Sequence, residues 1–260
     1  MKSFLGLGTW NLRGEQCENS VFKALKSGYK VIDTASIYDN EINVGRAIRK
    51  SSIKRSEITI ISKISTFDLS IEDSINKSLE DLDTSYIDIM LIHWPIFKTN
   101  LEDYVDRLIN FKKNNKIKYI GASNFNSYLI KKFRNLCKSE DLFNQIEYHP
   151  YINQDKLLKN MKINRIHPIA YCPLSRGIVN KDKSLKNLSK KYNKTISQIT
   201  LRWLYQKGIS SVPKSSNLIN IESNMNIFDF SISSDDIKII NELKYKNIRN
   251  VKNISKYKWD

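Results

Sequence analysis

The sequence predicts an α/β protein that folds as a parallel (β/α)8 barrel, the TIM barrel, in one domain covering residues 1–260. Three observations support this prediction. The length of 260 residues suits one such barrel, short apolar runs alternate with longer amphipathic segments, and the alternation repeats eight times. A composition of 40% hydrophobic and 27% charged residues is that of a packed globular protein.

Short runs of apolar and β-branched residues mark the candidate strands. Their spacing leaves room for a helix between each pair, as the crossover between parallel strands requires. The runs cover residues 4–10, 29–34, 58–63, 87–93, 117–123, 142–147, 166–171 and 209–213. Eight strands of this kind are the number that a closed barrel needs.

Between these runs, apolar residues recur at spacings of three and four and predict helices that cover the barrel. The clearest apolar faces are Val21/Ala24/Leu25, Ile71/Ile75/Leu79/Leu82, Leu101/Val105/Leu108 and Leu129/Phe133/Leu136. Residues 182–206 predict two helices that meet near Asn193, with Thr195 as the N-cap of the second. A further helix is predicted to start near Asn217.

The charge and the cysteine content indicate which partners the protein binds and in which compartment it lies. A formal net charge of +16 suits a nucleic-acid or acidic-membrane partner, but the lysines are scattered and form no stripe, so we expect neither. Cys17, Cys137 and Cys172 show no metal-ligand or redox spacing, which favours a reducing cytoplasm. No apolar run is long enough to span a membrane, and residues 4–10 are too broken by glycine for an export signal.

Nearly every predicted strand ends in a polar or ionisable residue. In a parallel barrel these ends open on one face, where barrel enzymes keep their chemistry. The residues are Thr9, Asp33, Lys63, His93, Ser123, Asn124, Gln145, Tyr171 and Lys214. One such residue would be an ordinary loop residue, but the repetition predicts a shared site.

The missing residue types narrow the chemistry of that site. No His-x-His follows the first strand, and His149 and His167 each precede a proline without a nearby ligand set, so we expect no metal. A Schiff-base mechanism at Lys63 is disfavoured because Asp33 would keep that amine protonated.

A charged Lys63 is expected to act on the pKa of the phenol of Tyr38. A neighbouring ammonium lowers the pKa of a phenol and makes it a better acid near neutrality. Such an acid is what carbonyl reduction needs, because hydride arriving on carbon leaves an alkoxide to be protonated. We expect Asp33 to hold Lys63 and neutral His93 to orient the carbonyl oxygen.

These residues lie in strings that resemble the aldo-keto reductase family along essentially the whole chain. The strings are Asp33-Thr34-Ala35, Tyr38-Asp39-Asn40-Glu41, Ser62-Lys63 and Leu91-Ile92-His93-Trp94-Pro95. The resemblance implies a catalytic tetrad of Asp33, Tyr38, Lys63 and His93. It also implies a monomer that reduces a small carbonyl compound with a nicotinamide cofactor.

Later strings resemble the family's cofactor site. The resemblance implies that Ser123, Asn124 and Gln145 hold the nicotinamide carboxamide and that Tyr171 stacks on the ring, with Thr9, Trp10, Asp33, Pro173, Leu174 and Ser175 close by. Pro213, Lys214, Ser215 and Ser216 lead into the helix near Asn217 and resemble the site for the adenosine 2′-phosphate, with Asn224 further along. Gly6-Leu7-Gly8 lacks the third glycine of a Rossmann fingerprint.

The cofactor predicted is NADPH, with NADH left open because Asn220 and Ser223 occupy positions where the family often has Arg and Glu. The absence of an N-terminal hairpin and the short C-terminal tail Lys258-Trp259-Asp260 resemble the bacterial branch of 2,5-diketo-D-gluconate reductase B and methylglyoxal reductase. We therefore expect reduction of small aldehydes and ketones.

A pocket lined by Trp10, Tyr38, His93 and Trp94 is expected to bind the carbonyl substrate, with Tyr148 as a further candidate. The alternative is a nucleotide-sensing regulatory subunit of the same fold that has no significant catalysis. The intact set Asp33, Tyr38, Lys63 and His93 argues against that alternative.

Overall fold

Eight parallel strands follow one another around the sheet in chain order, β1 to β8. The structure is a computed structural model that describes residues 2–64, 70–138 and 141–260. The strands are β1 (Leu7–Gly8), β2 (Val31–Asp33), β3 (Thr59–Ile64), β4 (Ile87–Ile92), β5 (Ile117–Ser123), β6 (Leu142–Glu147), β7 (Ile166–Tyr171) and β8 (Ser210–Ser211). This order confirms the predicted (β/α)8 barrel.

The barrel closes between its first and last strands. Leu5 forms a parallel bridge with Ser211, and Gly8 forms one with Lys214. The seam is tight at Gly8, where an added Cβ would lie 2.6 Å from the carbonyl oxygen of Val212. Glycine is needed there because only a residue without a side chain lets the two backbones approach so closely.

The helices pack around the outside of the sheet. They are α1 (Gly14–Lys26), α2 (Glu41–Ser51), α3 (Ile71–Asp81), α4 (Leu101–Lys113), α5 (Ser127–Cys137), α6 (Asp155–Ile163), α7 (Lys183–Tyr192), α8 (Ile196–Gln206), α9 (Leu218–Met225) and α10 (Ser234–Glu242). Thr195 caps α8 in a reciprocal capping box with Gln198, and Asn217 caps α9. Both predicted helix starts are confirmed.

Two apolar cores hold the layers together. The larger lies between the strands and the surrounding helices and contains fully buried residues such as Ile75, Val105 and Phe133. The smaller one fills the barrel interior with Val31, Ile61, Ile89, Leu91, Phe143, Ile169 and Val212. The described interior of the barrel is therefore a packed core, so a ligand of the barrel is expected at the ends of the strands.

Strand boundaries agree with the prediction in the middle of the sheet and differ at its seam. The bounds of β5, β6 and β7 match those predicted, but β1 and β8 each retain only two residues of ladder. Pro213 explains part of the difference, because it has no N–H group to extend β8. In the described parts of the chain, no helix has the length and apolar character needed to cross a bilayer.

Candidate active site

The polar residues at the strand ends meet around one cavity of about 390 Å³ at the carboxyl-terminal face of the barrel. The cavity is lined by Gly8, Trp10, Asp33, Ile37, Tyr38, His93, Trp94, Ser123, Asn124, Gln145, Tyr171, Cys172, Pro173, Leu174, Arg176, Gly177, Val212, Pro213, Lys214 and Val251. Thr9 and Lys63 are the two predicted strand-end residues that do not line it. Both are fully buried behind its wall.

Lys63 lies at the base of this cavity as half of a buried ion pair. Its Nζ atom is 2.8 Å from Asp33 Oδ1 and donates a second hydrogen bond of 2.7 Å to the carbonyl oxygen of Thr34. The side chains of Lys63 and Asp33 are only 1% and 5% exposed. Burial lowers the pKa of Lys63, and the adjacent Asp33 carboxylate opposes that shift and keeps the ammonium paired.

Tyr38 projects into the cavity beside this pair, with the ring centroid 5.0 Å from Lys63 Nζ. Burial raises the pKa of Tyr38 well above its usual range, and the Asp33 carboxylate raises it further. The prediction that the pKa of Tyr38 is lowered is therefore wrong. The physical reason is that the phenol is partly shielded from water and that the nearby Asp33 carboxylate opposes a second negative charge.

His93 faces Tyr38 across the cavity floor, with ring centroids 5.7 Å apart in an edge-to-face arrangement. Burial lowers the pKa of His93 well below its usual range, and the positive charge of Lys63 lowers it further. The imidazole is neutral at physiological pH, as predicted. Its Nδ1 atom is buried and has no hydrogen-bond partner among the described residues.

A chain of hydrogen bonds joins the amide residues of the cavity wall. Tyr171 Oη donates to Asn124 Oδ1 (2.7 Å), and Asn124 Nδ2 donates to the carbonyl oxygen of His93 (3.1 Å). Gln145 Nε2 donates to Asp33 Oδ2 at 2.6 Å. Asp33 therefore accepts bonds from both Lys63 and Gln145, which ties the amide wall to the ion pair.

Local turns hold Tyr38 in place. A 3-10 turn covers Ser36–Tyr38, and Ser36 Oγ donates to the carbonyl oxygen of Lys63 at 3.0 Å. Asn40 is buried and its Nδ2 atom donates to the carbonyl oxygens of Thr9 and Leu12, both at 2.9 Å. These contacts fix the loop after β2 against the loop after β1, so the phenol has little freedom to move.

Sequence reasoning missed a second buried carboxylate behind Lys63. Glu41 is 4% exposed and accepts hydrogen bonds from Ser62 Oγ (2.5 Å) and Ser78 Oγ (2.9 Å). Burial raises the pKa of Glu41, against the effect of these two hydroxyls. Glu41 lies inside a motif used to recognise the family, but its contact with Ser62, the residue before Lys63, depends on the tertiary fold.

Arg176 is another cavity residue that sequence reasoning missed. Its guanidinium lies 5.4 Å from the ring of Trp10, and the two side chains reach towards each other from the loops after β7 and β1. Trp10 is half exposed, as a residue at the mouth would be. Burial raises the pKa of the neighbouring Cys172 thiol, which argues against a reactive thiolate there.

The C-terminal segment closes one side of the cavity. The buried Glu147 carboxylate accepts hydrogen bonds from the backbone N–H groups of Asn250 (2.6 Å) and Val251 (3.2 Å). Further along, the ring of Trp259 lies 6.1 Å from that of Trp94. This segment thus contributes Val251 to the cavity lining and packs Trp259 against Trp94, which also lines the cavity.

The segment predicted to bind the 2′-phosphate lies at the edge of the cavity. Lys214 lines the cavity and is exposed, whereas Ser215, Ser216 and Asn224 lie outside its lining. The backbone N–H groups of Ile219 and Asn220 already donate to Asn217 Oδ1. These two backbone donors at the start of α9 are therefore already bonded within the protein.

Three other predicted residues lie away from the cavity surface. Thr9 Oγ1 donates to the carbonyl oxygen of Asp33 at 3.0 Å, and Ser175 Oγ accepts from Asn250 Nδ2 at 2.9 Å. Tyr148 is buried against Trp203, with ring centroids 5.5 Å apart. The idea that Tyr148 lines the substrate pocket is wrong, because its ring packs outwards against α8.

Comparison with known proteins agrees with this geometry. A model of the Aldo/keto reductase family matches residues 4–244. The chain belongs to that family. This aldo-keto reductase is 36% identical to methylglyoxal reductase DkgB of Escherichia coli O157:H7 over 241 residues, which cover 90% of each chain. It is accordingly an NAD(P)H-dependent oxidoreductase.

Solved structures give the same picture of the aldo-keto reductase. A putative 2,5-diketo-D-gluconic acid reductase B superposes with a TM-score of 0.93 and 29% identity, covering 100% of this chain and 98% of the other. An aldo-keto reductase of Bombyx mori in complex with NADP gives a TM-score of 0.87 and 28% identity, covering 96% and 91% of the two chains.

The residues around the cavity fit a nicotinamide ring. Tyr171 offers an aromatic face, and Asn124 and Gln145 provide amide groups beside it. Gln145 Nε2 has a second N–H group, and no described residue bonds to its Oε1 atom, so a carboxamide would find both a donor and an acceptor.

Proposed function

We propose that this enzyme reduces small aldehydes and ketones, such as methylglyoxal or 2,5-diketo-D-gluconate, to alcohols with NADPH. The observation that carries the proposal is that Tyr38 and neutral His93 meet at one end of a cavity whose other wall is Tyr171, Asn124 and Gln145. A carbonyl and a nicotinamide ring both find suitable partners there. The names of the methylglyoxal reductase and the 2,5-diketo-D-gluconic acid reductase support the choice of substrates.

Tyr171, Asn124 and Gln145 would hold a reduced nicotinamide, which would supply the hydride for the carbonyl carbon. Tyr38 Oη–H donates its proton to the carbonyl oxygen as negative charge develops there. His93, which is neutral, donates a hydrogen bond to the same oxygen and orients it. Lys63, 5.0 Å from the ring centroid, stabilises the phenolate that remains, and Asp33 keeps Lys63 in position.

The cofactor preference rests on the edge of the cavity. Lys214 is exposed at the mouth, next to Ser215 and Ser216, and a cation suits the extra phosphate of NADPH. The solved relative that holds NADP supports the same choice.

The proposal also includes a single domain over residues 1–260, a monomer, no metal and a cytoplasmic location. The free thiols of Cys17, Cys137 and Cys172 support the cytoplasmic location.

The test is a panel of small aldehydes, ketones and dicarbonyls assayed with NADPH and NADH by the loss of reduced-nicotinamide absorbance. We expect turnover of at least one α-dicarbonyl and a higher kcat/KM with NADPH. Tight NADPH binding without turnover on any member of the panel would favour the nucleotide-sensing alternative. A higher kcat/KM with NADH would contradict the role proposed for Lys214.

A further inference from the structure

A second cavity, of about 200 Å³, lies apart from the active site and shares no lining residue with it. It lies where the loop after β6 meets the end of α8 and the end of α10. The lining residues are Tyr148, Pro150, Ile152, Asp155, Trp203, Lys207, Asn241 and Lys244. Nothing in the proposed reductase chemistry uses these side chains.

Lys207 is the central group of this second cavity. Its Nζ atom donates hydrogen bonds to Tyr148 Oη at 2.9 Å and to Asn241 Oδ1 at 3.2 Å. Within the described residues, no carboxylate forms an ion pair with this amine. The nearest acidic group on the cavity wall, Asp155, is paired with Lys244 instead.

Both protein partners of Lys207 are uncharged hydrogen-bond acceptors. A neutral amine has two N–H groups and one lone pair, so the two acceptors satisfy both of its donors. An ammonium would carry a third donor, for which the described side chains provide no acceptor. Once the amine has lost that third proton, its lone pair has no partner among the described residues and is available to a ligand in the cavity.

Some groups around Lys207 favour its charged ammonium form, and others favour its neutral amine form. Trp203 and Tyr148 favour the ammonium through their rings, whose centroids lie 4.9 Å and 5.5 Å from Nζ. Burial has the larger effect and lowers the pKa of Lys207; Asp155 opposes this shift and Lys244 adds to it. Lys191, by contrast, is exposed and bonded to Asp236, which raises its pKa.

We propose that Lys207 is a covalent site for small aldehydes, with which its amine forms a reversible imine. The nitrogen lone pair adds to the aldehyde carbon, and a proton moves from nitrogen to oxygen to give a carbinolamine. Loss of that hydroxyl and the remaining N–H proton as water then forms the C=N bond. No oxidant or reductant is needed, and Tyr148 Oη is placed to hydrogen-bond the departing oxygen.

This site goes beyond the reductase activity and does not depend on it. The experiment therefore uses the full-length protein without any nicotinamide. Acetaldehyde is the probe, and sodium cyanoborohydride traps each imine by delivering hydride to its carbon, which leaves an N-ethyl lysine. Peptide mass spectrometry then measures the labelled fraction of every lysine in the same sample.

We expect Lys207 to be labelled faster than Lys191 near neutral pH, by about tenfold for each unit by which its pKa is lower. Lys191 is the internal control because it is more exposed but paired with a carboxylate. A labelling rate at Lys207 equal to or below that at Lys191 would overturn the proposal. This comparison needs only the wild-type protein, so a variant that fails to fold cannot obscure it.

A pH series separates reactivity from access. Labelling of Lys207 should reach its plateau at a lower pH than labelling of Lys191, because the free amine forms at lower pH. Faster labelling with the same pH profile for both lysines would mean access alone and would contradict the proposal. Lys207→Arg should abolish the adduct on that peptide and leave carbonyl reduction unchanged, whereas the matched variant Lys191→Arg should leave the Lys207 adduct intact.

Discussion

Among the described residues, Lys63 with Tyr38 and Lys207 with Tyr148 form two lysine–tyrosine pairs at cavities, and the two lysines differ in their charged partners. In the active site, Lys63 lies 5.0 Å from the ring centroid of Tyr38 and is bonded to the Asp33 carboxylate. In the second cavity, Lys207 lies 5.5 Å from the ring centroid of Tyr148 and is bonded to its hydroxyl and to an asparagine. Of these two lysines, only Lys63 forms an ion pair with a carboxylate in the described parts of the chain.

That difference decides what each lysine can do. A carboxylate at 2.8 Å keeps Lys63 as an ammonium, so it can stabilise a phenolate but cannot act as a nucleophile. Burial lowers the pKa of both lysines, but Lys207 has only neutral hydrogen-bond acceptors and no paired carboxylate among the described residues to oppose that shift as strongly. The same two residue types therefore serve electrostatic stabilisation in one region and covalent chemistry in the other, as proposed above.

The largest expected effect comes from removing the phenol of the first pair. Tyr38→Phe should lower kcat for carbonyl reduction by a factor on the order of 10²–10⁴, the usual contribution of a general acid, with little change in NADPH affinity. Steady-state kinetics and cofactor titration by fluorescence measure the two quantities. Tyr148→Phe is the matched control and should keep its activity; an active Tyr38→Phe enzyme would refute the assignment.

The second effect concerns stability. Lys63→Met leaves the buried Asp33 carboxylate without its cation, so we expect the free energy of unfolding to fall by about 3–5 kcal/mol. Urea denaturation of the variants measures this change. Asp33→Asn combined with Lys63→Met should recover much of the loss, because no charge then remains unpaired; a double variant less stable than Lys63→Met would show that the pair is not the cause.

The corresponding change in the second pair should be small. Lys207→Met removes an amine on which no carboxylate depends, and Asn241 Oδ1 keeps its hydrogen bond from Trp203 Nε1 at 2.9 Å. We expect the free energy of unfolding to change by less than about 1 kcal/mol in the same urea assay. A loss as large as that for Lys63→Met would mean that Lys207 carries a buried charge with a partner.

The sequence predicted the fold and the composition of the active site because both follow from local patterns. Strand and helix periods are visible in the chain, and in a parallel barrel the ends of the strands must share one face, so Asp33, His93, Asn124 and Gln145 were expected to meet. Arg176, Glu41 and Val251 were not, since each reaches the site through a loop or helix whose path has no local signal.

The direction of a pKa shift was also beyond sequence reasoning. Lys63 was correctly placed next to Tyr38, but the sign of the effect on the phenol depends on burial and on the distance to Asp33, which only the fold sets. Lys207 is a similar case. Nothing near it in the chain indicates that Tyr148 and Asn241, 59 and 34 positions away, provide its hydrogen-bond acceptors.

The smallest expected effect is that of pH on kcat/KM, which we expect to be almost absent. The pKa of His93 is lowered, so the imidazole is neutral above its usual value of about 6.5, and the pKa of Tyr38 is raised, so the phenol is protonated up to its usual value of about 10. Neither group changes its charge between these values. We therefore expect kcat/KM for an uncharged aldehyde to stay nearly constant across this range.

This profile distinguishes the structure's account from the simpler idea that Lys63 makes the phenol more acidic. A lowered phenol pKa in the free enzyme would give an alkaline fall in kcat/KM below about pH 10, because the deprotonated tyrosine cannot donate a proton. Labelling of Lys207 over the same range should change with pH, since that amine titrates without a carboxylate partner. A flat kcat/KM profile would support the raised pKa of Tyr38, and an alkaline fall below about pH 10 would contradict it.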